Sequence, residues 1–282
     1  MINKTMDLHI HSYYSDGTMS VSEILDAAIK NQVGILAIAD HDMLDGTLEL
    51  QSLCNTTKAP ITYLSGIELN TLDSHENIHI LGYGMDLSNP EFRNFVATNR
   101  MYLDDISFQL IRKMEAKYHH ISKEDFQLFQ YDRRKGGWKA LHYFLEKGIT
   151  TSLREGFYLY DLYDCPYHCV PFPSVPTAIE AIHAAGGIAV LAHPGVSIKE
   201  THPLTFSKKL LAFSEMGLDG IECYYTTHSA DVTKQCLMLC EQKDLLTTVG
   251  SDCHGSFGNA KVGELQIPIH QLNLTKLNRF LV

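Results

Sequence analysis

The chain has 282 residues, 45% of them hydrophobic and 20% charged, with nine prolines. That is enough apolar material for one large domain, or one domain carrying an insertion, and it excludes a disordered, fibrous or repeat-built protein. A net charge of −10, from 23 Lys and Arg against 33 Asp and Glu, excludes a dedicated binder of duplex nucleic acid, because counterion release needs a basic face.

The start, MINKTMDLHIHS, contains no apolar signal stretch, and no apolar run approaches the roughly 18 residues of a membrane helix. A cytoplasmic protein with reduced thiols and no membrane partner is expected. Residues 6–11 read as a strand. Ser20 and Glu23 form a capping box ahead of Val21, Ile24, Leu25, Ala28 and Ile29, and Gly34 is the expected helix stop. A strand over 35–40, a helix over 45–56 and strands over 61–70 and 77–83 continue the βα rhythm.

From Pro90 the pattern changes to helices alone, over about 91–118, 122–130, 137–147 and 153–160. The rhythm resumes with a helix over 177–185, Gly186-Gly187 as its cap, the strand IAVLAHP, a helix over 203–216, the strand GIECYY, a helix over 229–242 and the strand LTTVGSD. Two βα blocks, 1–90 and 172–282, around a helical insertion over 91–171 predict an α/β barrel or doubly wound body with a cap. Residues 91–155 carry 12 basic and nine acidic side chains, whereas the rest of the chain is strongly acidic.

The chain has 15 histidines, and several stand beside carboxylates where apolar runs end. Asp7, His9 and His11 alternate on one strand and share a face, successive members being about 6.5 to 7 Å apart. Asp40, His41 and Asp42 follow ILAIAD, Glu68 ends ITYLSGIE, His79 lies in IHILGYG, His193 ends IAVLAHP, and Asp252 and His254 follow TTVGS. Strand carboxyl ends open on one face of such folds, so these groups are expected to converge. Imidazole with oxygen donors suits Mn²⁺, Fe²⁺ or Zn²⁺. Cys165, His168 and Cys169 have no second pair at zinc spacing. Cys236 and Cys240 read as helix filler, and strand alternation turns Cys253 away from its neighbours.

In order, DLHIHSYYSDG, AIADHD, SGIE, IHILGYG, AHPG and GSDCHG resemble the motifs of the PHP (polymerase and histidinol phosphatase) superfamily of metal-dependent phosphoesterases, in its compact nucleotide-phosphatase and exoribonuclease-like branch. The resemblance implies a distorted (βα)7 TIM-like barrel with a cap and a trinuclear centre of three divalent ions, Mn, Fe or Zn. Carried over by motif, His9, His11, Glu68 and Asp252 would hold the first metal, Asp16, His41 and His254 the second, and Glu68, His79 and His193 the third. Glu68 would bridge. The chain departs from the pattern at Lys135-Gly136-Gly137-Trp138-Lys139, where relatives have a Gly-Arg-Pro-His-like stretch.

Such a centre would be cationic by about three units, which fits a phosphate ester dianion. The expected reaction is hydrolysis of phosphate monoesters, of a nucleoside 3′,5′-bisphosphate or a short oligonucleotide, by metal-activated hydroxide without a protein nucleophile. Glu68, Asp252 and His254 are placed at the reacting centre. His228 and His202 are candidates for the leaving-group acid, and Asp40 and Asp42 for orienting His41. Arg100, Arg133, Arg134, Lys135 and Lys139, with His202, are candidate substrate contacts. Two other classes compete: an amidohydrolase or deaminase, whose bridging carboxylated lysine is replaced here by Glu68, and a non-catalytic metal-binding module. The oligomeric state stays open.

Overall fold

Seven short apolar runs pair edge to edge into one sheet, and amphipathic helices cover its outer side. The computed structural model describes residues 5–200 and 202–281; residues 1–4, which open the amino-terminal stretch considered above, lie outside this range. The strands are β1 (Thr5–Asp7), β2 (Val33–Ile38), β3 (Thr62–Asp73), β4 (Glu76–Tyr83), β5 (Ile188–Leu191), β6 (Gly220–Tyr225) and β7 (Leu246–Gly250), and they pair in chain order. Past Asp7 the chain stays extended: Leu8 N donates to Val249 O at 3.0 Å, Asp252 N to His9 O at 2.8 Å and His11 N to Cys253 O at 3.0 Å. The first and last strands therefore meet, and of the barrel and the doubly wound body left open by the βα rhythm, the sheet is the nearly closed α/β barrel that the family resemblance implies.

One strand departs from the parallel pattern. β4 pairs antiparallel with both β3 and β5, while the other neighbouring pairs are parallel. Only Ser74 and His75 join β3 to β4, too few residues for a crossover, so the connection is a hairpin; Ser74 takes a left-handed φ of 59°. Because β3 runs for 12 residues, Glu68 lies within a strand and not at its end. His79 likewise sits inside β4, opposite Asn70.

Alternation along β2 separates two apolar layers. Leu36 and Ile38 pack with Val21, Ile24 and Ala28 of α1 (Val21–Lys30) and with Leu50 of α2 (Asp45–Thr57), while Ile35, Ala37 and Ala39 pack with Met6, Leu81, Tyr83 and Val190 across the barrel interior. The Ser20 and Glu23 capping box forms as expected. The helix stop does not: α1 ends at Lys30 with Asn31 as its cap, and Gln32 takes the left-handed φ of 60°. Val33 already pairs with Thr5, so the turn must be completed before Gly34, which lies in β2.

Between β4 and β5 come α3 (Pro90–Met114), α4 (Lys123–Leu128), α5 (Lys139–Glu146) and α6 (Glu155–Leu162), then α7 (Val175–Ala184) back against the barrel. Leu110, Met114, Phe126, Tyr143, Phe144 and Cys165 form a buried core of the helical segment's own. α8 (Pro194–Ser197), α9 (Pro203–Ser214) and α10 (Ala230–Lys243) complete the layer around β5 to β7. Cys236 and Cys240 are buried with Cys223 in the helix–sheet core, and Cys253 is buried beside Ile10. Among the described residues, no helix is long and apolar enough to cross a membrane.

Candidate metal centre

The nine residues anticipated as ligands come together at the barrel mouth. Glu68 is almost fully buried at their middle. Its Oε2 lies 3.2 Å from His9 Nε2, His11 Nε2 and His41 Nδ1, and its Oε1 lies 2.8 Å from His79 Nδ1 and 2.9 Å from His193 Nε2. Asp252 Oδ1 is 3.0 Å from His11 Nε2 and 3.4 Å from His9 Nε2, and Asp16 Oδ2 is 3.3 Å from His254 Nε2. Among the described residues, three groups have donor atoms within 4.8 Å of one another: His11, Asp16, His41 and His254; His9, His11, Glu68 and Asp252; and His41, Glu68 and His79. The hairpin explains how His79 joins them, since an antiparallel β4 brings its interior and not its carboxyl end to the mouth.

This donor set fits divalent cations. Among the described residues, His11 Nδ1, Asp16 Oδ1 and His41 Nδ1 are buried with no hydrogen-bond partner, whereas buried polar atoms in proteins are generally satisfied. The imidazole nitrogens of His9 and His11 face each other at 3.1 Å. Burial alone would lower His9 and His11, but the surrounding carboxylates outweigh it and raise both, His11 to about 10. Burial would raise Glu68 and Asp252, and the imidazoles hold both well below the carboxylate range. His41, where burial prevails, falls to about 3. Buried charges of both signs in mutual contact, with orphaned atoms among them, are what a cation would organise.

Several of these imidazoles are held from behind by a second group. His9 Nδ1 meets Glu222 Oε1 at 3.0 Å, His79 Nε2 the Asn77 amide at 2.8 Å, His193 Nδ1 Ser197 Oγ at 3.0 Å and His254 Nδ1 the Asp252 carbonyl at 2.9 Å. Sequence reasoning missed Glu222, a fully buried carboxylate in β6, and Tyr225, whose hydroxyl donates to Asp252 Oδ2 at 2.7 Å. A glutamate alone in the apolar run GIECYY was the available signal. Asp40 and Asp42 do not orient His41. Asp40 accepts from Ser12 N at 2.7 Å and from the hydroxyls of Ser12 and Ser15, shaping the loop that carries Asp16. Asp42, which burial pushes up to about 7, accepts from Asn70 and Asn99. His193 and Asp252 adopt left-handed φ values of 27° and 54°, a strain of about 1–3 kcal/mol per residue that the surrounding bonds must hold.

The helical segment is latched over this mouth. Gly137 N donates to Asp16 O at 2.8 Å. Gly136 and Gly137 both have φ of 70°, and a Cβ on either would lie 2.6 or 2.7 Å from the Phe257 side chain, so the glycine pair permits the approach. A cavity of about 750 Å³ opens between segment and barrel, lined by His79 and His193 on the metal side and by Arg100, Arg133, Trp138 and Lys139 on the other. Arg100 lies over the Trp138 ring at 5.4 Å, one of its nitrogens is held by Asp104 at 3.0 Å, and its Nη1 is buried without a partner among the described residues.

The other substrate candidates lie elsewhere. Arg134 pairs with Glu23 at 2.7 Å, and Arg134, Lys135 and His202 are absent from the cavity wall. His228 is engaged at both nitrogens, Nδ1 with Cys223 O and Nε2 with Gly195 N, each at 3.1 Å, leaving neither free to protonate a leaving group. His75, which lines the cavity wall, packs 4.7 Å from His168.

Residues 7–158 match the family model described as PHP domain. The chain is 27% identical over 265 residues to a 5′-3′ exoribonuclease of Haemophilus influenzae, covering 93% of this chain and 94% of the relative. It is 26% identical over 265 residues to a 3′,5′-nucleoside bisphosphate phosphatase of Chromobacterium violaceum, covering 88% and 87%. The solved structure of a metal-dependent phosphoesterase candidate from Bifidobacterium adolescentis superposes with a TM-score of 0.77 at 24% identity, over 99% of this chain and 97% of that one, and attests the fold.

Proposed function

The chain belongs to the PHP domain family, and from that premise we propose that it is a metal-dependent phosphoesterase hydrolysing phosphate monoesters of nucleotides, a nucleoside 3′,5′-bisphosphate or a short oligonucleotide. The observation that carries this reading is the Glu68 carboxylate, buried and contacted by five imidazoles, with Asp16 and Asp252 beside it. In the proposal three divalent ions, Mn, Fe or Zn, are held by His9, His11, Asp16, His41, Glu68, His79, His193, Asp252 and His254. Such ions acidify water and neutralise charge on the ester oxygens.

The chain's own residues supply the rest. Glu222, Ser197 and Asn77 keep the imidazoles aimed at the centre. Residues 91–171 act as a cap over a barrel built from 1–90 and 172–282, excluding water from the cavity. Within it, Arg100 and Arg133 receive a second anionic group of the substrate: Nη1 of Arg100, without a partner among the described residues, offers a donor aimed by Asp104 and Trp138. The relatives named for a bisphosphate phosphatase and an exoribonuclease support nucleotides as the substrate class.

The test is a phosphate-release screen over nucleoside monophosphates, bisphosphates and short RNAs, run with Mn²⁺, Fe²⁺, Mg²⁺ and Zn²⁺ in parallel, with an amide and deamination panel as control and elemental analysis of the loaded protein. Phosphate release from nucleotides with about three ions per chain is expected. Turnover of the control panel alone, or folded and loaded protein with one ion or none, overturns it.

A further inference from the structure

Glu222 is a charged side chain with no exposed surface, and both of its oxygens are committed within the protein. Oε1 meets His9 Nδ1 at 3.0 Å, and Oε2 accepts from the His193 backbone N at 2.8 Å. The two bonds tie β6 to the ends of β1 and β5, 213 residues and 29 residues away in sequence. The neighbouring strand leaves room for this: a Cβ on Gly250 would fall 2.0 Å from Glu222 Oε1 and 2.3 Å from the His9 Cβ. Glycine at that position of β7 is what lets the carboxylate and the imidazole meet.

An ionised carboxylate only accepts hydrogen bonds. Facing His9 Nδ1, it places a proton there, so that the neutral imidazole, the form that binds a cation, offers its lone pair at Nε2, the atom that points at Glu68 and Asp252. We propose that Glu222 is a positioning residue that sets the His9 tautomer for cation binding and, through the same carboxylate, fixes the strained backbone at His193. This rests on the metal reading above.

The proposal makes Glu222→Gln informative although the two side chains have the same shape. Glutamine has one acceptor oxygen where Glu222 uses two. The His193 N–H is fixed as a donor and takes the oxygen. The glutamine NH₂ then faces His9 Nδ1 and favours a lone pair there, which moves the imidazole proton to Nε2 and turns an N–H toward the cation site. Only the group containing His9 should suffer, while His11, Asp16, His41 and His254 stay intact.

The experiment is titration of metal-stripped protein with Mn²⁺, for the wild type, Glu222→Gln and Glu222→Asp, with melting of the metal-free proteins as a fold check. Glu222→Gln is expected to weaken one class of site by about 10- to 100-fold and leave the others within threefold of wild type. Glu222→Asp, which keeps two acceptor oxygens one methylene further back, should recover part of the loss. Wild-type affinity at every class in Glu222→Gln, or equal weakening of all classes, overturns the proposal. If Glu222→Gln does not fold, the aspartate isotherm decides: one weakened class supports the assignment and none overturns it. A wild-type chain that binds no Mn²⁺ sinks the metal reading itself, a result distinct from a wild type that binds and a variant that binds equally well.

Discussion

At the barrel mouth, His9, His79, His193 and His254 each turn one nitrogen toward the cluster and have the other held by a carboxylate, amide, hydroxyl or carbonyl. In segment 91–171, which holds 12 of the 23 basic side chains, only Arg100, Arg133 and Lys139 reach the cavity wall. Others are spent on the surface: Arg134 on Glu23, Lys147 on Asp125, and Arg154 on the Phe257 carbonyl. Burial makes the difference. A buried polar group must be satisfied and so has one arrangement, while an exposed lysine or arginine bonds to whatever is near at little gain. Density of charge along a chain thus says less about a site than does a carboxylate in an apolar strand.

The sharpest way to break the contrast is Glu68→Gln. It removes charge from the point where five imidazoles meet, and turnover should fall about a thousandfold or more, in line with the several kcal/mol a bound cation contributes. His270→Ala, on a 3₁₀ turn beside the Pro268 that bridges Thr5, should leave turnover within twofold. Comparable losses in both, measured on proteins of matched melting temperature, would remove Glu68 from the centre.

Metal removal tests the mouth as a unit. Stripping with a chelator should abolish phosphate release, and Mn²⁺ should restore it. At free Mn²⁺ 100-fold above Kd, each occupied site adds about 2.7 kcal/mol, so calorimetry should record a rise in melting midpoint of roughly 5–10 °C per site. A midpoint indifferent to Mn²⁺ would show that the buried charges are satisfied without it.

For the helical segment, the paired replacement of Arg100 and Arg133 by alanine should lower kcat/KM for a nucleoside bisphosphate by about 10- to 100-fold, the 1.5–3 kcal/mol of a hydrogen bond to a charged group. An aryl phosphate should be little affected, because it has no second anion to place. The ratio of the two kcat/KM values is the readout, and an equal fall on both would return specificity to the barrel loops. The smallest effect belongs to Arg134→Ala with Lys135→Ala. Both lie outside the cavity wall, and the exposed pair with Glu23 is worth about 0–1 kcal/mol, so the same ratio should stay within twofold and denaturant midpoints should barely move.

Much of the centre was legible in the residues themselves. His9 and His11 share a face through strand alternation, the pairs Asp40-His41 and Asp252-His254 follow apolar runs, and the capping box at Ser20 needs only three residues to form. These are local patterns, decided by backbone geometry over a few positions, and the βα rhythm that predicts a barrel or doubly wound body has the same origin. Tertiary structure alone decided the direction of β4, since a two-residue connection can be counted only once the ends of both strands are known. It also decided that Asp42 serves Asn70 and Asn99, 28 and 57 residues away, and that Glu222 stands behind His9 across 213 residues. It brought Arg100, Arg133 and Lys139, of a dozen basic side chains in the segment, to the cavity wall. Partners so distant in sequence leave no spacing to read; they are selected when burial demands that every polar atom be satisfied and the fold brings one candidate within reach.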